Sequence, residues 1–182
     1  MLAAKMNRDD AAAAFWDFSL DVYDAPGIAR LCLELQAAHD ADVNLLLCAA
    51  WVGATGRGRL DPIDFARLAD AIAPLHDSVV SRLRAARDWL KTAVDDSELA
   101  SLREAIKSVE LEAERIVQRR LARMVGGQPA NVDAGRRLAD AVANVIAYLD
   151  HLGVQNEDAQ AQAVRVLTAA LASRQNPSWL RC

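Results

Sequence analysis

The chain is poor in most features that point directly to a function. Its 182 residues include three cysteines, Cys32, Cys48 and Cys182, with no Cys-x-x-Cys pair among them. An odd number at these spacings excludes a disulfide scaffold, and a chain this long can bury a core without disulfides or metal. Cys32 and Cys48 sit in apolar helical patterns and are expected to be buried free thiols acting as small hydrophobes. No export signal is expected at the N-terminus, because Lys5, Arg8, Asp9 and Asp10 interrupt the first ten residues and no apolar stretch follows. With free thiols, this gives a cytoplasmic expectation. No run approaches the ~20 apolar residues of a membrane span. The longest uncharged run, between Asp42 and Arg57, contains Asn44, Gly53 and Thr55. Positive charge is not in excess either: 21 Lys and Arg stand against 25 Asp and Glu, a net of −4. That weighs against nucleic acid as the main partner.

What is present is a helical pattern. Hydrophobic residues make up 53% of the chain and charged residues 25%; alanine supplies much of the first figure, and mean hydropathy is only +0.02. Apolar positions recur at steps of three and four, and no stretch alternates as a strand does. The expectation is an all-α bundle of seven to eight helices with a long helical hairpin. It is expected to form a single domain over residues 1–182.

Helix one is expected from about Asp9 or Asp10 to Tyr23, burying Phe15, Phe18 and Val22. Helix two begins at Pro26, a residue favoured in a first turn, and ends near His39-Asp40. Asp42 is placed to cap helix three, which runs from Val43 to about Ala54 and is apolar nearly all round, as a central helix would be. Thr55 to Arg59 forms a loop. Asp61, Pro62 and Asp64 start a short helix ending near Ile72, and another follows from Pro74 to about Val94. Asp95-Asp96 forms a turn. The longest helix then runs from Glu98 to about Val125, with Leu99, Leu102, Ile106, Val109, Ala113 and Ile116 at heptad-like steps. That seam serves either intramolecular packing or a homodimer. Gly126-Gly127 breaks the chain, and two alanine-rich helices follow within 131–173. The tail with Trp179 frays unless that ring docks.

Sites of known chemistry are hard to find. Glu-x-x-His, which a di-iron bundle needs, is absent, since Gln36, Ala73 and Tyr148 precede His39, His76 and His151 by three residues. His39-Asp40-x-Asp42 and His76-Asp77 fit capping better than metal binding. Gly53 to Arg59 is glycine-rich and basic, but it follows a helix and lacks the Gly-Lys-Ser/Thr of a phosphate loop. It is expected to cap and turn the chain, with Arg57 and Arg59 a weak anion site at best. No nucleophile elbow is present. The expectation is a non-catalytic protein with no metal and no cofactor.

Five of the nine aromatics, Phe15, Trp16, Phe18, Tyr23 and Trp51, fall in the first 51 residues. Phe15 and Phe18 belong to the core. Trp16 lies about 100° round the helix from Phe15 and is free to stack on a neighbour or to anchor a partner. Gln36, Asp42 and Asn44 are expected to form a polar knot at the corner between helices two and three. Trp16, Tyr23, Gln36, Asn44 and Trp51 are the residues for a ligand pocket.

Phe15-Trp-x-Phe-Ser-Leu20, Tyr23, Pro26-Gly27, Cys32-Leu33-x-Leu-Gln36, Asp42-Val-Asn-Leu-Leu-Leu47, Trp51 and Leu111-Glu-Ala-Glu114 occur in that order. Together they resemble a family of small proteobacterial proteins of unknown function. The resemblance covers about residues 12–125 and carries over no catalytic residue. Separately from the resemblance, the expectation is a protein–protein interaction module with a protein partner and a homodimer through 98–125. The alternatives are a small-molecule-binding regulatory protein or enzyme, and RNA or ribosome association through Arg115, Arg119, Arg120 and Arg123.

Overall fold

The computed structural model describes residues 2–92, 97–125 and 128–174, with only the backbone described for residues 2–9. The expected turn at Asp95-Asp96, the break at Gly126-Gly127, Cys182 and the Trp179 tail lie outside the described residues. All regular structure among the described residues is helical. α1 spans Leu2–Tyr23, α2 Ile28–His39, α3 Val43–Ala54, α4 Pro62–Leu75, α5 Ser81–Leu90, α6 Ser97–Val125, α7 Ala134–His151 and α8 Glu157–Ala172. A π-helical turn, His76–Val80, joins α4 to α5, so the two form one rod and the described chain makes seven.

Local chemistry explains most of the boundaries. The Asp42 carboxylate accepts from the Asn44 and Leu45 amides at 2.7 and 3.2 Å and caps α3. Asp61 and Asp64 form a reciprocal capping box around Pro62. Asp133 caps α7 and Asn156 caps α8. α2 starts at Ile28 rather than Pro26, because Gly27 adopts φ +88°, which ends the turn and is open to glycine at little cost. Pro74 does not start a new helix. It lacks an N–H and crowds the preceding turn, and the rod absorbs the mismatch in the π turn that follows.

α3 is the central helix: every residue from Asn44 to Ala54 is buried. α7 crosses it at Gly53, where a Cβ would stand 2.1 Å from the Ala141 amide nitrogen. Gly53 is therefore a crossing point inside α3, not part of the following loop. Asn144 of α7 is fully buried. Its side-chain amide donates to the carbonyls of Ala49 and Gly58 at 3.2 and 3.1 Å, and its oxygen accepts from the Leu60 N–H at 2.9 Å. The loop after α3 is thereby fixed to α7. α1 packs along α6, with Phe15, Phe18 and Val22 fully buried.

α6 is 29 residues long, about 44 Å at ~1.5 Å per residue. Its buried stripe is Glu110, Ala113, Val117, Gln118, Leu121 and Ala122. This differs from the heptad seam expected from the sequence. Ala113 is buried and Leu99, Ile106 and Ile116 are half-buried, but Leu102 and Val109 are exposed. A straight helix drifts by about 20° per heptad from a strict seven-residue repeat. Here the inward face therefore turns onto polar positions. No helix among the described residues is long and apolar enough to cross a membrane.

Candidate functional site

Five helices, α1, α2, α3, α5 and α6, surround an open cleft of about 520 Å³. Three kinds of surface line it. The apolar wall comes from Trp16, Leu20 and Tyr23 of α1, Leu33 of α2, Val43 and Leu47 of α3 and Leu111 of α6. The polar wall comes from Ser19, Gln36, Asn44 and Gln118. The third wall is ionic and lies where α5 faces α6.

The apolar wall follows from helix geometry. Trp16, Leu20 and Tyr23 stand at i, i+4 and i+7 on α1, one step round from the core stripe of Phe15, Phe18 and Val22. Trp16 is half-buried, and the Arg115 guanidinium lies 5.5 Å from its ring centre. Leu20, Leu33 and Leu111 are 48%, 59% and 48% exposed, and Tyr23 stands beside them at the surface. Burial raises the Tyr23 phenol above its ordinary pKa, helped by the nearby Cys32 and Glu114 and opposed by Arg84 and Arg87.

Two buried amides meet on the polar wall. Gln118 donates through Nε2 to Asn44 Oδ1 at 3.0 Å, linking α6 to the first turn of α3. Gln118 Oε1 has no hydrogen-bond partner, and neither has the Ser19 hydroxyl. Both residues are 4% exposed. Buried polar groups are rarely left unpaired, and two that are lie on this wall.

The ionic wall is a chain of pairs. Arg84 reaches Glu110 at 3.2 Å and Glu114 at 2.7 Å, and Arg87 reaches Glu110 at 2.9 Å. Burial opposes the charge of Arg84, but the two glutamates outweigh it and raise its pKa. Burial also raises Glu114 above the ordinary carboxylate range, with Arg84 opposing. Further out, Asp88 pairs with Lys91 at 2.6 Å and Lys107 with Glu104 at 3.6 Å.

Of the residues singled out from the sequence, the structure brings Trp16, Tyr23, Gln36 and Asn44 together at the cleft. It places four others elsewhere. Trp51 is fully buried and stacks on Phe15 with ring centres 4.9 Å apart. A helix packed on all sides gives its largest side chain to the core, not to a cleft. Arg57 lies over that ring at 4.2 Å. Arg59 donates to the buried Asp140 at 2.7 Å. Both arginines of the glycine-rich loop are thus engaged within the fold. Asp42 is tied to the frame behind the cleft. Besides capping α3, it lies 2.7 Å from His76 Nδ1 of the π turn, and its N–H donates to the Tyr148 hydroxyl at 2.8 Å. The Gln36, Asp42 and Asn44 knot does not form as one cluster, because Asn44 turns to Gln118 and Asp42 to His76.

Sequence reasoning passed over Ser19, Arg84, Arg87, Glu110 and Gln118. One signal was available: Glu110 and Gln118 are polar residues on the stripe that includes Ala113 and Val117. Among the described residues, no three His, Cys, Asp or Glu side chains gather where they could hold a metal. Burial pushes the Cys32 and Cys48 thiols up to about 12.

Neither the curated proteins nor the solved structures gave a match to this chain. The profile of a family described as "protein of unknown function (DUF2390)" matches residues 14–121, from the core half of α1 to the last buried leucine of α6. This stretch contains every residue that lines the cleft, while α7 and α8 lie outside it. The chain belongs to the DUF2390 family of proteins of unknown function.

Proposed function

We propose that the protein is a non-catalytic binding protein that takes a small, largely apolar organic molecule into the cleft between α1, α2, α3, α5 and α6. The observation that carries this reading is the pair of unpartnered buried polar atoms, Ser19 Oγ and Gln118 Oε1, on one wall of the cleft. Its volume of about 520 Å³ is within the range of small-molecule sites. Its apolar wall, set against convergent polar groups, combines the two elements such sites use.

The test is a screen of small aromatic and aliphatic amphiphiles against the full chain, read by amide chemical shifts. Binders should move the amides of Ser19, Tyr23, Asn44 and Leu111. Leu111→Arg, a change at an exposed position on the mouth, should abolish those shifts with the helical spectrum unchanged. A screen with no binder, or binders that shift α7 and α8 instead, would overturn the reading.

A second reading, a docking groove for a helix of a protein partner, is supported by the exposure of Leu20, Leu33 and Leu111 around the mouth. Such a helix would set apolar residues at i, i+3 or i+4 and i+7 along them. Gln118→Leu separates the two. It would weaken a small molecule that bonds to Gln118 but leave a helix contact confined to the rim leucines unchanged.

A further inference from the structure

We infer that the cleft selects an uncharged ligand that offers an N–H or O–H donor to Gln118 Oε1. This rests on the small-molecule reading above and narrows it to a chemical class.

The first argument is the state of the amide. Gln118 Nε2 is committed to Asn44 Oδ1 at 3.0 Å, and Asn44 is held in the capped first turn of α3. With the nitrogen so engaged, the unpaired atom of the amide is the oxygen, an acceptor only. The partner it lacks is therefore a donor.

Ser19 marks the same wall a second time. A hydroxyl inside a helix commonly donates to the carbonyl four residues back. In this chain Thr55, Ser101 and Ser108 do so, at 2.6, 3.0 and 3.1 Å. Ser19 lies inside α1 and makes no such bond. Its hydroxyl lines the same cleft as Gln118 and can either donate or accept.

The second argument concerns charge. Arg84, Arg87, Lys91 and Lys107 line the cleft, and so do Asp24, Asp88, Glu110 and Glu114. Cations and anions balance. The buried glutamate, Glu110, is already paired with both arginines, and Glu114 with Arg84. A charged ligand would lose water without meeting an uncommitted buried countercharge, which is unfavourable. A neutral molecule avoids that loss.

The probes are isosteric bicyclic rings titrated into the full chain by calorimetry and amide shifts. Indole carries one N–H, benzofuran replaces it with an ether oxygen, and indole-3-acetate and tryptamine add one charge of either sign. Indole should bind about fivefold or more tighter than benzofuran, the effect of one hydrogen bond. Its affinity should change little between about 0.05 and 0.5 M salt, since no ion pair forms. Both charged analogues should bind more weakly than indole. In Gln118→Leu the preference for indole should vanish while benzofuran binding persists. Gln118→Met is the second variant if the first does not fold, and the comparison in the unaltered protein decides if neither does. Equal binding of indole and benzofuran, a preference that survives removal of Oε1, or tightest binding by a charged analogue overturns this inference but leaves the cleft a binding site. Failure of every probe to bind overturns the small-molecule reading as well.

Discussion

Gly53→Ala is a perturbation for which local and tertiary reasoning predict opposite signs. In an exposed helix interior the change stabilises by about 1 kcal/mol. In this fold the added Cβ would lie 2.1 Å from the Ala141 nitrogen and 2.4 Å from both Ala141 Cα and the Asp140 carbonyl carbon. Carbon atoms pack favourably only from about 3.5 Å, so α3 and α7 must part by roughly 1 Å or more at the crossing. No side-chain rotation relieves this, because the atoms in the way are backbone. A shift of that size carries the Asn144 bonds to Ala49 and Gly58, now 3.2 and 3.1 Å, beyond the range of real hydrogen bonds. Overpacking costs about 1–3 kcal/mol, and each of the two buried bonds contributes about 1 kcal/mol more. Less the ~1 kcal/mol gained in helix propensity, the expected net destabilisation is about 2–4 kcal/mol, or about 4–16 °C in melting temperature at ~2–4 °C per kcal/mol. Urea and thermal unfolding followed by far-ultraviolet circular dichroism measure it. Adding Ala141→Gly should not restore stability, since that change removes a Cβ and leaves the clashing atoms in place. A Gly53→Ala protein as stable as its parent, or one rescued by Ala141→Gly, refutes the close crossing.

Three further expectations concern polar groups. The Asp42 carboxylate holds the His76 imidazole above its ordinary value, with Asp77 assisting and burial and Arg84 opposing. A raised folded-state value means that this stabilisation is complete below the unfolded value of about 6.5 and is lost as pH rises through the folded one. Stability should therefore fall as pH rises above about 6.5, and an unchanged slope in His76→Gln would falsify the link. Arg84→Met strands Glu114 and leaves Glu110 with Arg87 alone. It should cost about 2–3 kcal/mol, below the full ~3–5 of a sealed pair because the Arg84 side chain is 22% exposed. The loss should shrink in acid as Glu114, already raised by burial, takes up a proton. Asn144→Leu leaves the Leu60 N–H and two carbonyls without their partner and should cost about 2–4 kcal/mol. Hydrogen exchange at Leu60 should accelerate well beyond the global change, and an exchange rate that only follows global stability would show that the loop is held by other contacts.

The sequence by itself determined the helices and most of their ends. Hydrogen bonds within a helix span four residues, and caps act over two or three. Asp42, Asp61 with Asp64, and the stripe of Phe15, Phe18 and Val22 were therefore legible from nearest neighbours along the chain. The unbroken apolarity of Val43 to Ala54 likewise marked α3 as central before any neighbour was known. Only the tertiary structure decided which tryptophan faces a cleft. Trp16 and Trp51 are equally aromatic, yet Trp51 is sealed by helices on every side and Trp16 meets the gap between α1 and α6. It also decided that Gly53 permits a helix crossing, since its neighbour Ala141 is 88 residues away in sequence. It turned α6 so that Glu110 and Gln118 face inward while Leu102 and Val109 face out. That register depends on the angle at which α6 meets α1 and α5, a property of no single helix. The cleft draws on five helices, and the partners that Ser19 and Gln118 lack become visible only when all five are in place.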